Sequence, residues 1–106
     1  MSYRIVYTEE AYNDLEALDG SIKFQVDAAI LKVSQNPLPN SEGGLGKPLG
    51  NKQGVNLTGY YKIKLVKSGI RVVYQLVRVD EIMTIIVIAA RADDEVYEIA
   101  AKRING

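Results

Sequence analysis

Apolar and polar positions change their period along the chain, and each change marks a new element. Residues 3–7 alternate and are rich in β-formers, which predicts a short first strand. From Thr8 the spacing becomes helical. Thr8 suits an N-cap, Glu9 and Glu10 fall in the first turn where the helix dipole favours carboxylates, and Ala11, Leu15 and Leu18 form a stripe until Gly20 ends the run. Ser21 then caps a second helix with the stripe Ile22, Val26, Ala29, Ile30 and Val33, stopped before Asn36 and Pro37. Two amphipathic helices across so short a joint predict an antiparallel hairpin.

Residues 37–54, rich in Gly, Pro, Asn and Ser, predict a loop, the most mobile part of the chain, with a short edge strand near 45–49. Beyond it the period becomes two. Residues 60–66 and 70–77 read as strands joined by a two-residue turn at Ser68 and Gly69. The run 82–90 is almost continuously apolar, as in a central strand covered on both faces. After Arg91, Asp93 or Asp94 caps a last helix carrying Val96, Ile99 and Ala100 on one stripe. The expectation is one α+β domain over residues 1–106, with helices on one face of a mostly antiparallel sheet.

Composition narrows the chemistry. A chain of 106 residues with 47% apolar and 25% charged residues is an ordinary folded domain. It contains no cysteine and no histidine, so neither disulfides nor thiolate catalysis are available, and a metal centre would need carboxylates alone. No metal and no cofactor are expected. Acid–base work would fall to carboxylate, lysine, arginine or tyrosine. The first residues lack the pattern of an export signal and no apolar run is long enough to span a bilayer, so the expectation is a cytoplasmic protein without a membrane partner.

Charge then picks out one region. Thirteen basic and thirteen acidic side chains cancel, yet the window 43–79 holds seven cations (Lys47, Lys52, Lys62, Lys64, Lys67, Arg71, Arg78) and no acid. Such segregation suits a polyanion. Alternation places Lys62 and Lys64 on one strand face, about 7 Å apart, and a two-residue turn pairs Val66 with Arg71, which brings Arg71 to the same face. Arg91 and Tyr97 can reach its rim. The remaining lysines of the window, Lys47, Lys52 and Lys67, are candidate contacts for the same polyanion. The plainer alternatives are a solvated outer face for the lysines, an ion pair with Asp93, Asp94 or Glu95 for Arg91, and a core position beside Ala101 and Ile104 for Tyr97.

The ordered set Gly59 to Leu65, Ser68 to Gln75, Arg91, Val96 and Tyr97, and Ala100 to Ile104 resembles the RelE family of bacterial toxins, and the match spans nearly the whole chain. The resemblance implies a microbial-ribonuclease-like architecture and a type II toxin–antitoxin toxin, an endoribonuclease that cuts mRNA in the ribosomal A site. It implies a cognate antitoxin, the ribosome and mRNA as partners. Carried over residue by residue, it gives Lys64 as general base, Arg91 at the leaving oxygen, Lys62 and Arg71 as phosphate clamps, and Tyr97 stacked on a nucleotide. The implied reaction is attack of a 2′-hydroxyl on the adjacent phosphodiester. Because an ordinary lysine is almost wholly protonated at pH 7, such catalysis leans on charge stabilisation and positioning. Toxins of this family are strongly basic overall, whereas this chain is neutral. The alternative is a non-catalytic toxin of the same fold that poisons gyrase or only grips its antitoxin, and a third reading, a single-stranded RNA-binding domain, would need Tyr60, Tyr61 and Tyr74 as stacking platforms. The ribonuclease reading fails if the cations scatter over opposite surfaces or the lysine row is locked against carboxylates.

Overall fold

The computed structural model describes residues 2–52 and 55–105, with the side chains of all of these except 51, 52, 55 and 56. The chain runs β1 (Arg4–Tyr7), α1 (Glu9–Glu16), α2 (Gly20–Ser34), a 3-10 turn (Asn40–Glu42), β2 (Lys47–Lys52), β3 (Val55–Leu65), β4 (Ile70–Val77), β5 (Ile82–Ala89) and α3 (Asp93–Asn105). The strands form one sheet in the order β1-β5-β4-β3-β2. Strands β2 to β5 make an antiparallel meander, and β1 closes the far edge parallel to β5, a pairing that the intervening helices permit. Among the described residues no helix is long and apolar enough to cross a membrane.

Local chemistry sets the helix boundaries. The Thr8 hydroxyl accepts from the Ala11 N–H at 3.1 Å, as the sequence predicts. Helix α1 ends earlier than its apolar stripe suggests, at Glu16, because residues 17–19 are needed to turn the chain. The second helix is capped by Asp19 rather than Ser21: its carboxylate accepts from the Ile22 N–H at 3.2 Å and from the Ser21 hydroxyl at 3.0 Å, and Gly20 becomes the first helical residue instead of a stop. That backbone hydrogen bond and the Ser21 bond hold the Asp19 carboxyl below its usual range.

Helices cover both faces of the sheet, which corrects the one-sided packing expected. Ala11 and Leu15 of α1 and Val26, Ile30 and Val33 of α2 bury against Tyr61, Val72, Tyr74, Met83, Ile85 and Ile88. On the opposite face Val96, Tyr97 and Ala100 of α3 pack on Leu49, Leu57, Val73, Ile86 and Val87. Strand β5 therefore has little polar face to offer, which is why 82–90 is apolar at every position but Thr84. It also bulges: Val73 pairs with Val87 but Tyr74 with Ile85, so Ile86 is an extra residue and shares the α3 side with Val87.

Tyr61 and Tyr74 lie on the α1/α2 side, with ring centroids 5.5 Å apart and both rings buried in the core rather than offered to a base. The Tyr74 hydroxyl donates to the Pro37 carbonyl at 2.9 Å, fastening the loop after α2 to the middle of the sheet. Burial pushes that phenol upward, with the neighbouring Tyr61 adding to the effect.

Candidate active site

The hairpin that carries the cations differs from expectation in its turn. Leu65 pairs with Ile70, so the connection is the four-residue loop 66–69, with Gly69 at φ 72° and its N–H bonded to the Leu65 carbonyl at 2.9 Å. The left-handed position requires glycine here. Arg71 consequently lies opposite Lys64, not Val66. The slip is by a whole pair of positions, so side-chain parity is preserved and Arg71 still shares its face with Lys62 and Lys64. On the other side of β3, Lys47 pairs with Lys62, adding a fourth cation to that face. Two cross-strand pairs of like charge, Lys47 with Lys62 and Lys64 with Arg71, sit side by side, an arrangement that costs stability unless something offsets it.

Part of the offset comes from α3. Asp93 is the first residue of that helix rather than a cap before it, and its carboxylate bridges two of the four cations. Oδ1 accepts from Arg71 Nε, and Oδ2 accepts from Lys62 Nζ at 3.3 Å. Burial alone would raise the Asp93 carboxyl, but its bonds to Arg71 and Lys62 outweigh this and hold it below the ordinary carboxylate range. Lys62 also donates to the Tyr97 hydroxyl at 3.0 Å, and that bond, with the Asp93 contacts, raises its ammonium above the usual lysine value despite burial. The ammonium stands 5.6 Å from the Tyr97 ring centroid but 3.0 Å from its oxygen, so it lies off the end of the ring and the contact is a hydrogen bond, not a cation–π pair.

The five candidate positions thus gather at one end of the sheet, in different states. Lys62 and Arg71 are partly buried and held by Asp93. Arg71 Nη1 also donates to the carbonyls of Gly69 at 3.1 Å and Arg91 at 2.8 Å, which ties the end of β5 to β4. Lys64 is exposed and forms no ion pair among the described residues. The Arg91 side chain is 62% exposed and reaches Glu95 at 3.6 Å, the plain ion pair that its sequence context allows. Tyr97 is 7% exposed, packed in the α3 core with its hydroxyl at the edge of the cationic face, which leaves little ring surface for a base to stack on.

Of the outlying lysines, Lys47 is exposed and lines, with Lys32, Lys62 and Lys64, a cavity of about 270 Å³ that also takes in Val33 and Ile63 from the α2 side of the sheet. Lys67 is exposed on the hairpin loop, away from this cavity's lining. The side chain of Lys52, and the last two loop positions Gln53 and Gly54, lie outside the described residues. Sequence reasoning missed Lys32, on another element, and assigned Asp93 only to helix capping or to Arg91.

A second polar cluster holds α3 in place. Strand β1 ends at Tyr7, opposite Ile85, so β5 continues past its last parallel partner. There Asp14 accepts from the Ile88 N–H at 3.0 Å, while Arg103 Nη1 donates to the Ile86 carbonyl at 2.8 Å and to Asp14 at 2.7 Å, with Nη2 reaching Asp14 at 3.2 Å. The bulge's backbone groups are thereby satisfied by one residue from each helical layer. The Asp14 bond raises the Arg103 guanidinium above its ordinary value.

The geometry defines a small α+β domain whose sheet presents a cluster of cations at the start of its C-terminal helix, an arrangement suited to gripping an anion such as a phosphodiester. No family model matches the chain. A RelE-like toxin protein of Escherichia coli is 30% identical over 106 residues, covering 99% of this chain and 100% of that protein. The mRNA interferase toxin RelE of Escherichia coli K12 is 29% identical over 104 residues, 98% of this chain and 99% of the relative. An arginine-substituted form of Escherichia coli RelE in the free state superposes with a TM-score of 0.74 at 27% identity, covering 98% and 99% of the two chains. The same toxin bound to a peptide of its antitoxin RelB gives 0.67 at 26% identity, covering 97% and 98%. The chain belongs to the RelE toxin family.

Proposed function

We propose that this protein is the toxin of a toxin–antitoxin pair and an mRNA endoribonuclease that acts on the translating ribosome. The observation that carries the reading is the gathering of Lys62, Lys64 and Arg71 on one sheet face, beside the Tyr97 hydroxyl and the start of α3. In the reaction, the RNA 2′-oxygen attacks the adjacent phosphorus, the bond from phosphorus to the 5′-oxygen breaks, and a 2′,3′-cyclic phosphate and a 5′-hydroxyl result. One proton leaves the 2′-hydroxyl and one arrives at the 5′-oxygen. Lys62 and Arg71 clamp the non-bridging oxygens, Lys64 stands by the attacking hydroxyl as base and as positive charge, and Arg91 serves the leaving oxygen. Charge stabilisation of the pentacoordinate phosphorane is the larger contribution.

Burial changes the role given to Tyr97. With its ring in the α3 core, it acts through its hydroxyl, orienting Lys62 and the substrate rather than stacking on a base. Lys47 and Lys32 extend the positive surface into the neighbouring cavity, a path for the flanking RNA backbone.

The test is induction of the chain without antitoxin, with RNA 5′ ends mapped on translated and untranslated messages. Cleavage confined to translated frames in the wild type, and absent from Lys64→Ala and Arg91→Ala, is expected; both side chains are exposed, so the variants keep their fold. Asp93 favours a second reading, because it locks Lys62 and Arg71 against a carboxylate in the free chain. Growth arrest with intact RNA would select that reading, a toxin that acts by binding alone.

A further inference from the structure

Lys62 and Arg71 already hold an anion. A carboxylate carries one negative charge on two equivalent oxygens, and a phosphodiester carries one negative charge on two non-bridging oxygens. Asp93 gives one oxygen to each cation, Oδ1 to Arg71 and Oδ2 to Lys62, the arrangement the proposed clamp would make with RNA. We propose that Asp93 is an internal stand-in for the substrate phosphate, filling the phosphate seat in the free chain and leaving it when RNA enters. The inference rests on the ribonuclease reading above, since it takes Lys62 and Arg71 as the phosphate clamp.

Three features make the exchange possible. Asp93 is the first residue of α3 and its side chain is 36% exposed, so rotation about its own bonds carries the carboxylate into water while it still faces the positive end of the helix. Lys64 and Lys47 are exposed and form no ion pair among the described residues, so they offer an incoming strand its first contacts. Arg71 keeps its bonds to the Gly69 and Arg91 carbonyls when Asp93 departs, so the clamp stays in place. The filled seat also offsets repulsion among four clustered cations, and it weakens the free chain for any lone phosphate. Only a strand that engages several cations at once displaces the carboxylate.

The experiment titrates the full chain at low salt with a 2′-deoxy trinucleotide, which binds but cannot be cut, and compares wild type with Asp93→Asn and Asp93→Ser. Both variants remove the competing charge, and serine keeps a good residue for a helix start, so at least one folded variant is available, verified by a cooperative thermal melt. Either should bind the trinucleotide about tenfold or more tightly, the worth of a displaced charge-assisted hydrogen bond. On programmed ribosomes the variants should lower KM. Unchanged or weaker trinucleotide binding in a folded variant overturns the proposal, as does loss of kcat with unchanged binding, which would make Asp93 a catalytic base. Tighter trinucleotide binding alongside intact mRNA for the wild type would sink the ribonuclease reading and leave Asp93 as the occupant of an anion seat.

Discussion

Removing the Asp14 carboxylate should loosen α3, the element that brings Asp93 and Tyr97 to the sheet. In Asp14→Ala the Ile88 N–H loses its acceptor, and an unpaired buried amide costs about 1–3 kcal/mol. Arg103 loses its bidentate partner while about four-fifths buried, at 19% side-chain exposure. That pair lies between the surface case, about 0–1 kcal/mol, and the fully buried case, about 3–5 kcal/mol. Together these give about 2–4 kcal/mol for the single substitution, and at about 4–6 °C per kcal/mol for a domain of this size the midpoint falls by roughly 8–24 °C. Arg103→Ala loses the Ile86 carbonyl's donor and leaves Asp14 unpaired, a comparable cost. Asp14→Ala leaves Arg103 with only Glu10, 3.7 Å away, and Arg103→Ala leaves Asp14 without its cation, so the double variant should be more stable than the sum of the two losses implies, with a coupling of about 1–2 kcal/mol. Urea unfolding of all four proteins of the cycle measures this. Losses below about 1 kcal/mol in either single variant, or additivity within about 0.5 kcal/mol, would show that the clamp does not hold the bulge.

Three other outcomes test separate parts of the molecule. Lys64→Arg should retain more cleavage on programmed ribosomes than Lys64→Ala, because a guanidinium keeps the charge but is a poor base; equal loss in both would assign Lys64 to proton transfer rather than charge. Tyr74→Phe should cost about 1–2 kcal/mol by orphaning the Pro37 carbonyl, and Gly46→Ala should also destabilise, since a Cβ there would stand 2.8 Å from that carbonyl oxygen and closer still to the Tyr74 hydroxyl; wild-type melting of either would refute the loop attachment. The folded Asp93 carboxyl lies below its unfolded value, so its stabilisation is present above about pH 4 and disappears as pH falls through the folded pKa. Asp93→Asn should therefore be less stable than wild type at pH 7, with the gap narrowing as pH falls below about 4, read by urea midpoints across that range, whereas a constant gap would mean the charge is irrelevant.

Much of the site was legible because a strand has only two faces. The turn at Ser68 and Gly69 was read two residues too short, yet Arg71 kept its face, since only an odd slip in register exchanges the two sides. The lysine row needed nothing beyond alternation. Asp93 was not legible on those terms: its partners depend on which side of the sheet α3 packs, and local spacing does not fix that. The pattern did hold a clue. A continuously apolar β5 requires cover on both faces, and with α1 and α2 on one side only α3 remained for the other. Followed through, that requirement places the acidic first turn of α3 over the basic strands. The Asp14 and Arg103 clamp lay further out of reach, because it answers a bulge at Ile86 that no turn residue or glycine announces.

The same placement bears on the local charge balance of the sheet face. A sheet with Lys47 beside Lys62 and Lys64 beside Arg71 is locally unfavourable, and a purely structural surface would gain by replacing one member of each pair. The chain instead carries all four cations and meets two of them with Asp93, in a first turn of α3 that also holds Asp94 and Glu95, where carboxylates favour the helix. Only Asp93 touches the clamp; Glu95 is occupied with Arg91 on the solvent side. The carboxylate that meets Lys62 and Arg71 thus sits at the edge of the cluster, on a residue more exposed than the cations it binds, at 36% against 20% and 18%. A group in that position can leave without unpacking the core, whereas Lys62 and Arg71 cannot. A carboxylate on the clustered cations and the proposed phosphate-binding face are compatible if that carboxylate, more exposed than its partners, is the group that moves.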